Sequence, residues 1–219
     1  EIPEDWKLYR SIDWGYNKPF SCGWWAVDHD GVAYRILELY GCTQTPNEGV
    51  KWTPPQVFAE IHRIETEHRW LVGKKIIGIA DPAIWDAETG ESIADVAARH
   101  QVFFTPGDNK RIPGWMQMHE RMKFDENGYA MIYFFDTCKD SIRTIPLMMY
   151  DEHKPEDLDT DGEDHVADEV RYFCMSRPIK PRVTKPVDKY NETPMAMFLD
   201  IKKEDITAVR ARPRMEIID

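Results

Sequence analysis

The chain has 219 residues, of which 42% are hydrophobic, and a formal net charge of −11. This length supports one well-buried core, and no apolar run approaches the roughly 18 residues of a membrane span. The acidic balance argues against nucleic-acid binding, which requires Lys and Arg against phosphates. The four cysteines are scattered without a C-x-x-C pair, and no H-E-x-x-H occurs, which argues against a structural zinc site.

Three apolar segments near the start predict an antiparallel meander. Residues 9–13 (YRSID) and 20–27 (FSCGWWAV) read as strands, and 28–31 (DHDG) supplies turn chemistry before a third strand at 32–40. The first of these strands ends on an acid, Asp13.

The middle of the chain alternates helix and strand. Thr53-Pro54-Pro55 predicts a helix start, and apolar residues follow it at helical spacing. Residues 75–80 (KIIGIA) are almost wholly apolar, as in a central strand covered on both faces, and this strand ends at Asp81. A helix over 92–100 and a strand over 102–105 follow.

The last third predicts a helix over 115–122, a strand over 130–135, a short helix over 139–145, an acidic loop over 151–163 and an amphipathic helix over 164–175. Closely spaced prolines after Arg177 forbid regular structure. We therefore predict one α/β domain over 1–176, with a mixed sheet flanked by helices, and a basic, Pro-rich linker and tail over 177–219. No secretory signal opens the chain, which begins at Glu1 and is predicted to be a piece of a longer protein.

The positions of four acids carry the functional argument. Asp13 and Asp81 end two predicted strands, while Asp164 and Asp168 lie four residues apart on the last helix. If the two strands are adjacent, the late helix can bring Asp168 to the same edge. Carboxylates converging there would repel unless divalent cations lay among them, and two such ions about 4 Å apart can hydrolyse a phosphodiester. The alternative for any single one of these acids is a turn residue or helix cap.

Several motifs resemble the nuclease domain of the tailed-bacteriophage terminase large subunit. They are I-D-W-G, I-A-D-P, R-I-P-G-W-M-Q-M-H-E-R-M, M-I-Y-F-F-D-T-C and D-H-V-A-D-E-V-R-Y, spread over residues 9–175. One departure is Glu169-Val170, where Ala-Leu is commoner in that family. We expect this departure to keep the helix and to leave the metal site unaffected.

The resemblance implies an RNase H-like fold, two Mg²⁺ or Mn²⁺ ions, and cleavage of double-stranded concatemeric viral DNA during genome packaging. Asp13, Asp81 and Asp168 correspond to the catalytic metal ligands. Asp164 and His165 stay open: each is a fourth ligand, a water-orienting group, or only a residue at the helix start.

The partners implied are double-stranded DNA, a packaging ATPase on the same chain, the portal and the small terminase subunit, acting at the procapsid in the host cytoplasm. No membrane partner is expected. No G-x-x-x-x-G-K-[ST] occurs here, so the ATPase is predicted to lie outside this sequence.

Basic residues in the second half could line a DNA groove: Lys110, Arg111, Arg121, Lys139 and Arg143. Ordinary solvated charge is the alternative for each of them. The basic segment 177–189 would contact DNA or a packaging component, or serve as a linker. Two other functions stay open: a junction resolvase or transposase-like nuclease of the same fold, and a non-catalytic DNA-packaging adaptor.

Overall fold

A computed structural model of the chain describes residues 1–87, 90–159 and 162–180. The strands, numbered in chain order, are β1 Lys7–Asp13, β2 Ser21–Val27, β3 Ala33–Tyr40, β4 Ile76–Ala80, β5 Thr105–Pro106 and β6 Ile132–Phe134. The α-helices are α1 Pro54–Glu67, α2 Ile93–Arg99, α3 Arg111–Met122, α4 Lys139–Thr144 and α5 His165–Met175.

All six strands belong to one mixed sheet with the order β5-β4-β1-β2-β3-β6. Strands β1, β2 and β3 form the predicted antiparallel meander, β4 pairs parallel to β1, and β6 pairs parallel to β3. Since β5 also runs parallel to β4, every strand except β2 points the same way. The carboxyl ends of β1 and β4 therefore meet at one edge of the sheet.

The sheet is covered on both faces, because successive side chains of a strand point to opposite sides. Trp24 on β2 joins a core cluster with Phe58 of α1. The next residue, Trp25, joins the other cluster, where its ring stacks on Phe173 of α5 with centroids 4.1 Å apart. Helices α1 and α2 thus cover one face, and α3 and α5 cover the other.

Two predicted elements have different bounds in the structure. The strand predicted at 102–105 is reduced to Thr105–Pro106, because the carbonyl of Phe103 accepts a hydrogen bond from the Arg10 guanidinium. Helix α3 begins at Arg111 and not at residue 115. Pro113 lies in its first turn, where the missing N–H costs no intrahelical hydrogen bond.

The predicted linker and tail lie, from residue 181 onward, outside the described residues. The residues just before that point pack on the domain: Arg177 donates to the Tyr9 hydroxyl, and the Ile179 backbone exchanges hydrogen bonds with Gln117 of α3 at 2.7 and 3.1 Å. Within the described ranges, none of the helices has the length and apolar character needed to cross a bilayer.

Candidate functional site

Asp13 and Asp81 are neighbours at the carboxyl edge of the sheet. The register pairs Ile12 with Ala80, and the Asp81 N–H donates to the Ile12 carbonyl at 3.3 Å. Asp81 then starts a 3-10 turn, where its Oδ1 accepts a hydrogen bond from the Ala83 N–H at 2.8 Å. The two strands predicted to lie side by side thus do so, each with its terminal acid at the same end.

Helix α5 lies across this edge and contacts both strand ends. His165 Nδ1 is 3.3 Å from Asp13 Oδ2, and its Nε2 is 3.2 Å from Asn47 Oδ1. Two turns further along α5, the Tyr172 hydroxyl donates to Asp81 Oδ2 at 2.6 Å. The helix therefore brings its polar face to the position that the strand-end carboxylates share.

Asp168 lies on the same helix between two arginines. Arg111 Nη1 is 3.2 Å from Asp168 Oδ2, and Arg171 Nε donates to Oδ1 at 2.9 Å. Arg111 also donates to Asp157 at 2.9 Å, and the Trp115 indole donates to Asp157 at 2.7 Å. The start of α3 and the acidic loop are thereby connected to the site.

Burial raises the pKa of Asp13 to about 7, because a charge is poorly solvated there; the His165 hydrogen bond opposes the shift, and the charges of Asp168 and Asp81 add to it. Burial, reinforced by Asp168, likewise raises the pKa of Asp164 to about 6. Burial lowers the pKa of His165, but its hydrogen bond to Asp13 prevails, and the net pKa is raised. These carboxylates therefore lie within each other's electrostatic field, an environment that favours a cation.

The donor chemistry of the site fits a hard divalent ion, since Mg²⁺ and Mn²⁺ prefer carboxylate oxygens. Asp13, Asp81 and Asp168 supply such oxygens, with Asp164 as a fourth source. Across residues 1–87, 90–159 and 162–180, however, no three His, Cys, Asp or Glu side chains are grouped closely enough to hold a metal ion. The three predicted ligands instead contact protein partners, so ion binding would have to draw them together.

Asp164 occupies the N-cap position of α5, but its side chain makes no capping hydrogen bond. The expectation that it serves chiefly as a cap is therefore wrong. Its carboxyl group is buried, with the residue 6% exposed, and the charge of Asp168 acts on it. Asp164 thus belongs to the carboxylate cluster itself.

The predicted DNA-contacting residues fall into two groups. Lys110, Lys139 and Arg143 are exposed; Lys110 pairs with Asp108, and Arg143 pairs with Glu163. Arg111 is only partly exposed and contacts the site directly, as described above. These four remain candidates for phosphate contact.

Arg121 is corrected by the structure. It is 2% exposed, and its guanidinium donates to the backbone carbonyls of Arg177, Gly31 and Met131. It therefore joins α3 to the chain beyond α5 and has no surface to offer to DNA.

Two residues of the site carried no signal in the sequence. Asn47 follows β3 with a positive φ of 61°, a conformation that Asn tolerates, and only the fold brings it to His165. Asp157 belongs to an acidic loop whose local pattern does not distinguish one carboxylate from the next. Burial acts to raise the pKa of Asp157, but hydrogen bonds from Trp115 and Arg111 outweigh it, and the net pKa is lowered.

A cavity of about 660 Å³ lies between α3 and the 145–158 segment and contains none of the site carboxylates. Its lining is mainly apolar and rich in methionine, including Met116, Met118 and Met148. The carboxylate cluster is at the sheet edge and is not part of this cavity.

A mixed sheet of this order, with acids at the carboxyl ends of β1 and β4 and a helix lying across them, defines the RNase H-like fold class. No protein-family model matches the chain, and no curated protein matches its sequence. Solved structures do match. The full large terminase of a thermophilic bacteriophage, in complex with ATP-gamma-S, superposes with a TM-score of 0.59 at 20% identity, covering 79% of this chain and 41% of that one.

Two isolated nuclease domains give similar results. The P22 large terminase nuclease domain has a TM-score of 0.52 at 17% identity, covering 81% of this chain and 84% of that one. The large terminase nuclease from thermophilic phage G20c, with bound cobalt, has a TM-score of 0.53 at 11% identity with the same coverages. The chain spans 41% of the length of the ATP-gamma-S-bound terminase. At these identities the likeness shows the fold, and the predicted RNase H-like class is confirmed.

Proposed function

We propose that this chain is a metal-dependent endonuclease domain that cleaves double-stranded viral DNA concatemers during genome packaging. One observation carries the proposal: Asp13 and Asp81 lie side by side at the carboxyl edge of the sheet, and α5 brings Asp168 into their electrostatic field. The likeness of the fold to large terminase nuclease domains supports the same activity.

Asp13, Asp81 and Asp168 would hold two Mg²⁺ or Mn²⁺ ions, with Asp164 as a further oxygen source. When bound, such ions lower the pKa of a water molecule and stabilise the leaving 3′-oxygen of a phosphodiester. His165 orients the Asp13 carboxylate through its Nδ1 contact, and Tyr172 orients that of Asp81. Arg111, at the rim of the site, is placed to contact a DNA phosphate once Asp168 turns to an ion.

The partners follow from the same proposal. The large terminase that was solved with ATP-gamma-S extends well beyond the part that this chain matches. A packaging ATPase on the same polypeptide is therefore proposed, with the portal and the small terminase subunit as further partners at the procapsid in the host cytoplasm.

The test is cleavage of supercoiled plasmid in Mg²⁺, Mn²⁺, Ca²⁺ or EDTA. We expect nicking and linearisation in Mg²⁺ or Mn²⁺, with little sequence preference, and none in EDTA. Asp13→Asn should abolish cleavage, whereas Asp30→Asn, an exposed carboxylate in the β2–β3 turn at the opposite edge, should not. Efficient cutting in EDTA would refute the metal-dependent mechanism.

Two results of the same experiment would favour the other functions. Preference for a four-way junction over linear duplex would indicate a resolvase-like enzyme. A folded chain that leaves plasmid intact in Mn²⁺ across a wide pH range would indicate a non-catalytic adaptor.

A further inference from the structure

A charged network is buried directly beneath the carboxylate cluster. Glu169 of α5 and Arg35 of β3 form an ion pair, and both are 0% exposed. The other Glu169 oxygen accepts from the Ser11 hydroxyl of β1, which in turn accepts from the Trp25 indole at 2.7 Å. Ser21 of β2 donates to Glu169 at 3.2 Å. One carboxylate of α5 is thus joined to three strands.

The packing around this network leaves room for it and for little else. A Cβ atom at Gly23 of β2 would lie 2.8 Å from Glu169 Oε1 and closer still to the Arg35 guanidinium. Only glycine therefore allows the pair to occupy this position. The ring of Trp25, stacked on Phe173, closes the network on one side.

Stability alone is a poor explanation for such a pair. Removing two charges from water is costly, and replacing a buried ion pair with apolar residues of similar volume is often neutral or stabilising. Two nitrogens of Arg35, Nε and Nη2, have no hydrogen-bond partner among the described residues, which adds to the cost. The known benefit of buried polar groups is that they fix one arrangement of the elements they join.

The elements joined here are the ones that carry the site. Ser11 precedes Asp13 by two residues on β1, so both side chains point to the same face of the strand. Glu169 directly follows Asp168 on α5. Sliding or rotating α5 over the sheet would separate Glu169 from Ser11 and Arg35 and leave buried charges unpaired.

We propose that Glu169 and Arg35 are a positioning pair, which fixes α5 on the sheet and so sets the separation of Asp168 from Asp13. The inference rests on the proposed function, because that separation matters only if the two carboxylates share an ion. It also reassigns Glu169, whose departure from the commoner alanine is otherwise expected to leave the metal site unaffected.

The decisive variant is the double substitution Glu169→Met/Arg35→Met, which keeps volume and removes both charges. We expect it to melt in EDTA no lower than wild type, yet to bind Mn²⁺ about tenfold more weakly by titration calorimetry, as when residues supporting a metal site are lost. Plasmid cleavage should show a lowered kcat with an unchanged KM for DNA. A stable double variant with wild-type Mn²⁺ affinity and kcat would overturn the proposal.

A second variant covers the case in which the double variant fails to fold. Ser11→Ala leaves the ion pair intact and removes one hydroxyl; it should stay folded and still weaken Mn²⁺ binding. Ser92→Ala, which removes another buried serine hydroxyl that contacts a carboxylate, is the control and should leave Mn²⁺ affinity unchanged. Equal Mn²⁺ affinities for Ser11→Ala and wild type would overturn the positioning role.

The proposed function fails in a different way. If wild type binds Mn²⁺ but does not cleave DNA, the endonuclease proposal is refuted, while the calorimetric comparison still decides whether the pair positions the carboxylates.

Discussion

Burial of Asp13 makes the charge of this side chain costly to the folded chain. Its pKa rises from 3.8 to about 7, so between these values the folded chain retains a proton that the unfolded chain has lost. The unfolded state binds fewer protons in this window, and the free energy of unfolding therefore falls as the pH rises. The raised pKa of Asp164, to about 6, acts in the same direction.

Asp13→Asn should accordingly flatten this pH dependence. In EDTA at pH 8 the variant should be more stable than wild type by at least about 1 kcal/mol, and the difference should shrink at pH 5. Thermal melting at both pH values measures it. A variant several kcal/mol less stable at pH 8 would instead identify Asp13 as a structural hydrogen-bond acceptor.

Added Mn²⁺ should reverse that ranking, because an ion that binds only the folded form stabilises it. At a hundredfold excess over Kd the gain is about 2.7 kcal/mol for wild type. Asp13→Asn should gain much less. Melting of both proteins in millimolar Mn²⁺ tests this, and equal stabilisation would show that Asp13 is not a ligand.

Asp168 and Asp164 should differ in their importance to cleavage. Asp168 is oriented by Arg111 and Arg171, whereas Asp164 lies at the start of α5 without a capping bond. Asp168→Asn should abolish cleavage, and Asp164→Asn should lower it about tenfold, as for a residue that supports a metal site. Initial rates of plasmid nicking, with circular dichroism of both variants, decide the matter; equal losses would contradict the distinction.

At the scale of elements, α3 and α5 pack closely because Gly114 has no side chain. A Cβ there would lie well under 3.0 Å from the buried Arg171 side chain that orients Asp168. An exposed helical glycine gains about 1 kcal/mol when replaced by alanine, but overpacking costs about 1–3 kcal/mol. The packing term is the larger of the two at this position.

Gly114→Ala should therefore destabilise the chain and lower cleavage together. Urea unfolding provides the measurement, and Met116→Ala, a 62% exposed position on the same helix, is the control and should change stability little. A more stable Gly114→Ala would mean that helix propensity governs and that the two helices can separate.

The acidic loop depends on α3 through one residue. Arg111 donates to Asp157, whose Oδ1 also accepts the Leu158 N–H at 2.8 Å. In Arg111→Met, amide exchange over 155–159 should become faster by more than about tenfold, which corresponds to about 1.4 kcal/mol of local stability. Lys110→Met, next to it and paired only locally with Asp108, should leave exchange unchanged. Unchanged exchange in both would show that the loop is held by other contacts.

At the scale of the whole molecule, the net charge of −11 opposes DNA binding. Part of this charge is the carboxylate cluster, which divalent ions would neutralise where the substrate approaches. In EDTA a linear duplex should therefore bind weakly, and Ca²⁺ should tighten binding by about tenfold or more without cleavage. Fluorescence anisotropy at fixed ionic strength measures this. The same affinity in EDTA and Ca²⁺ would indicate that DNA binds away from the carboxylates.

The sequence by itself determined the order of the elements and the acids that end them. Strand and helix periodicity are local, so the meander, the apolar strand β4 and the amphipathic α5 were all predicted close to their observed bounds. Asp13 and Asp81 followed, because an acid after an apolar strand is visible without knowing the strand's neighbours.

Only the tertiary structure decided which charges are buried and what they contact. Arg121 and Lys110 look alike as basic residues near α3, yet one is buried against backbone carbonyls and the other is exposed. Arg35 and Glu169 lie 134 residues apart in the chain, and no local pattern relates them. Burial and ion pairing depend on groups from distant segments, whereas periodicity depends on adjacent residues, and for that reason the sequence predicted the carboxylates while the fold determined what surrounds them.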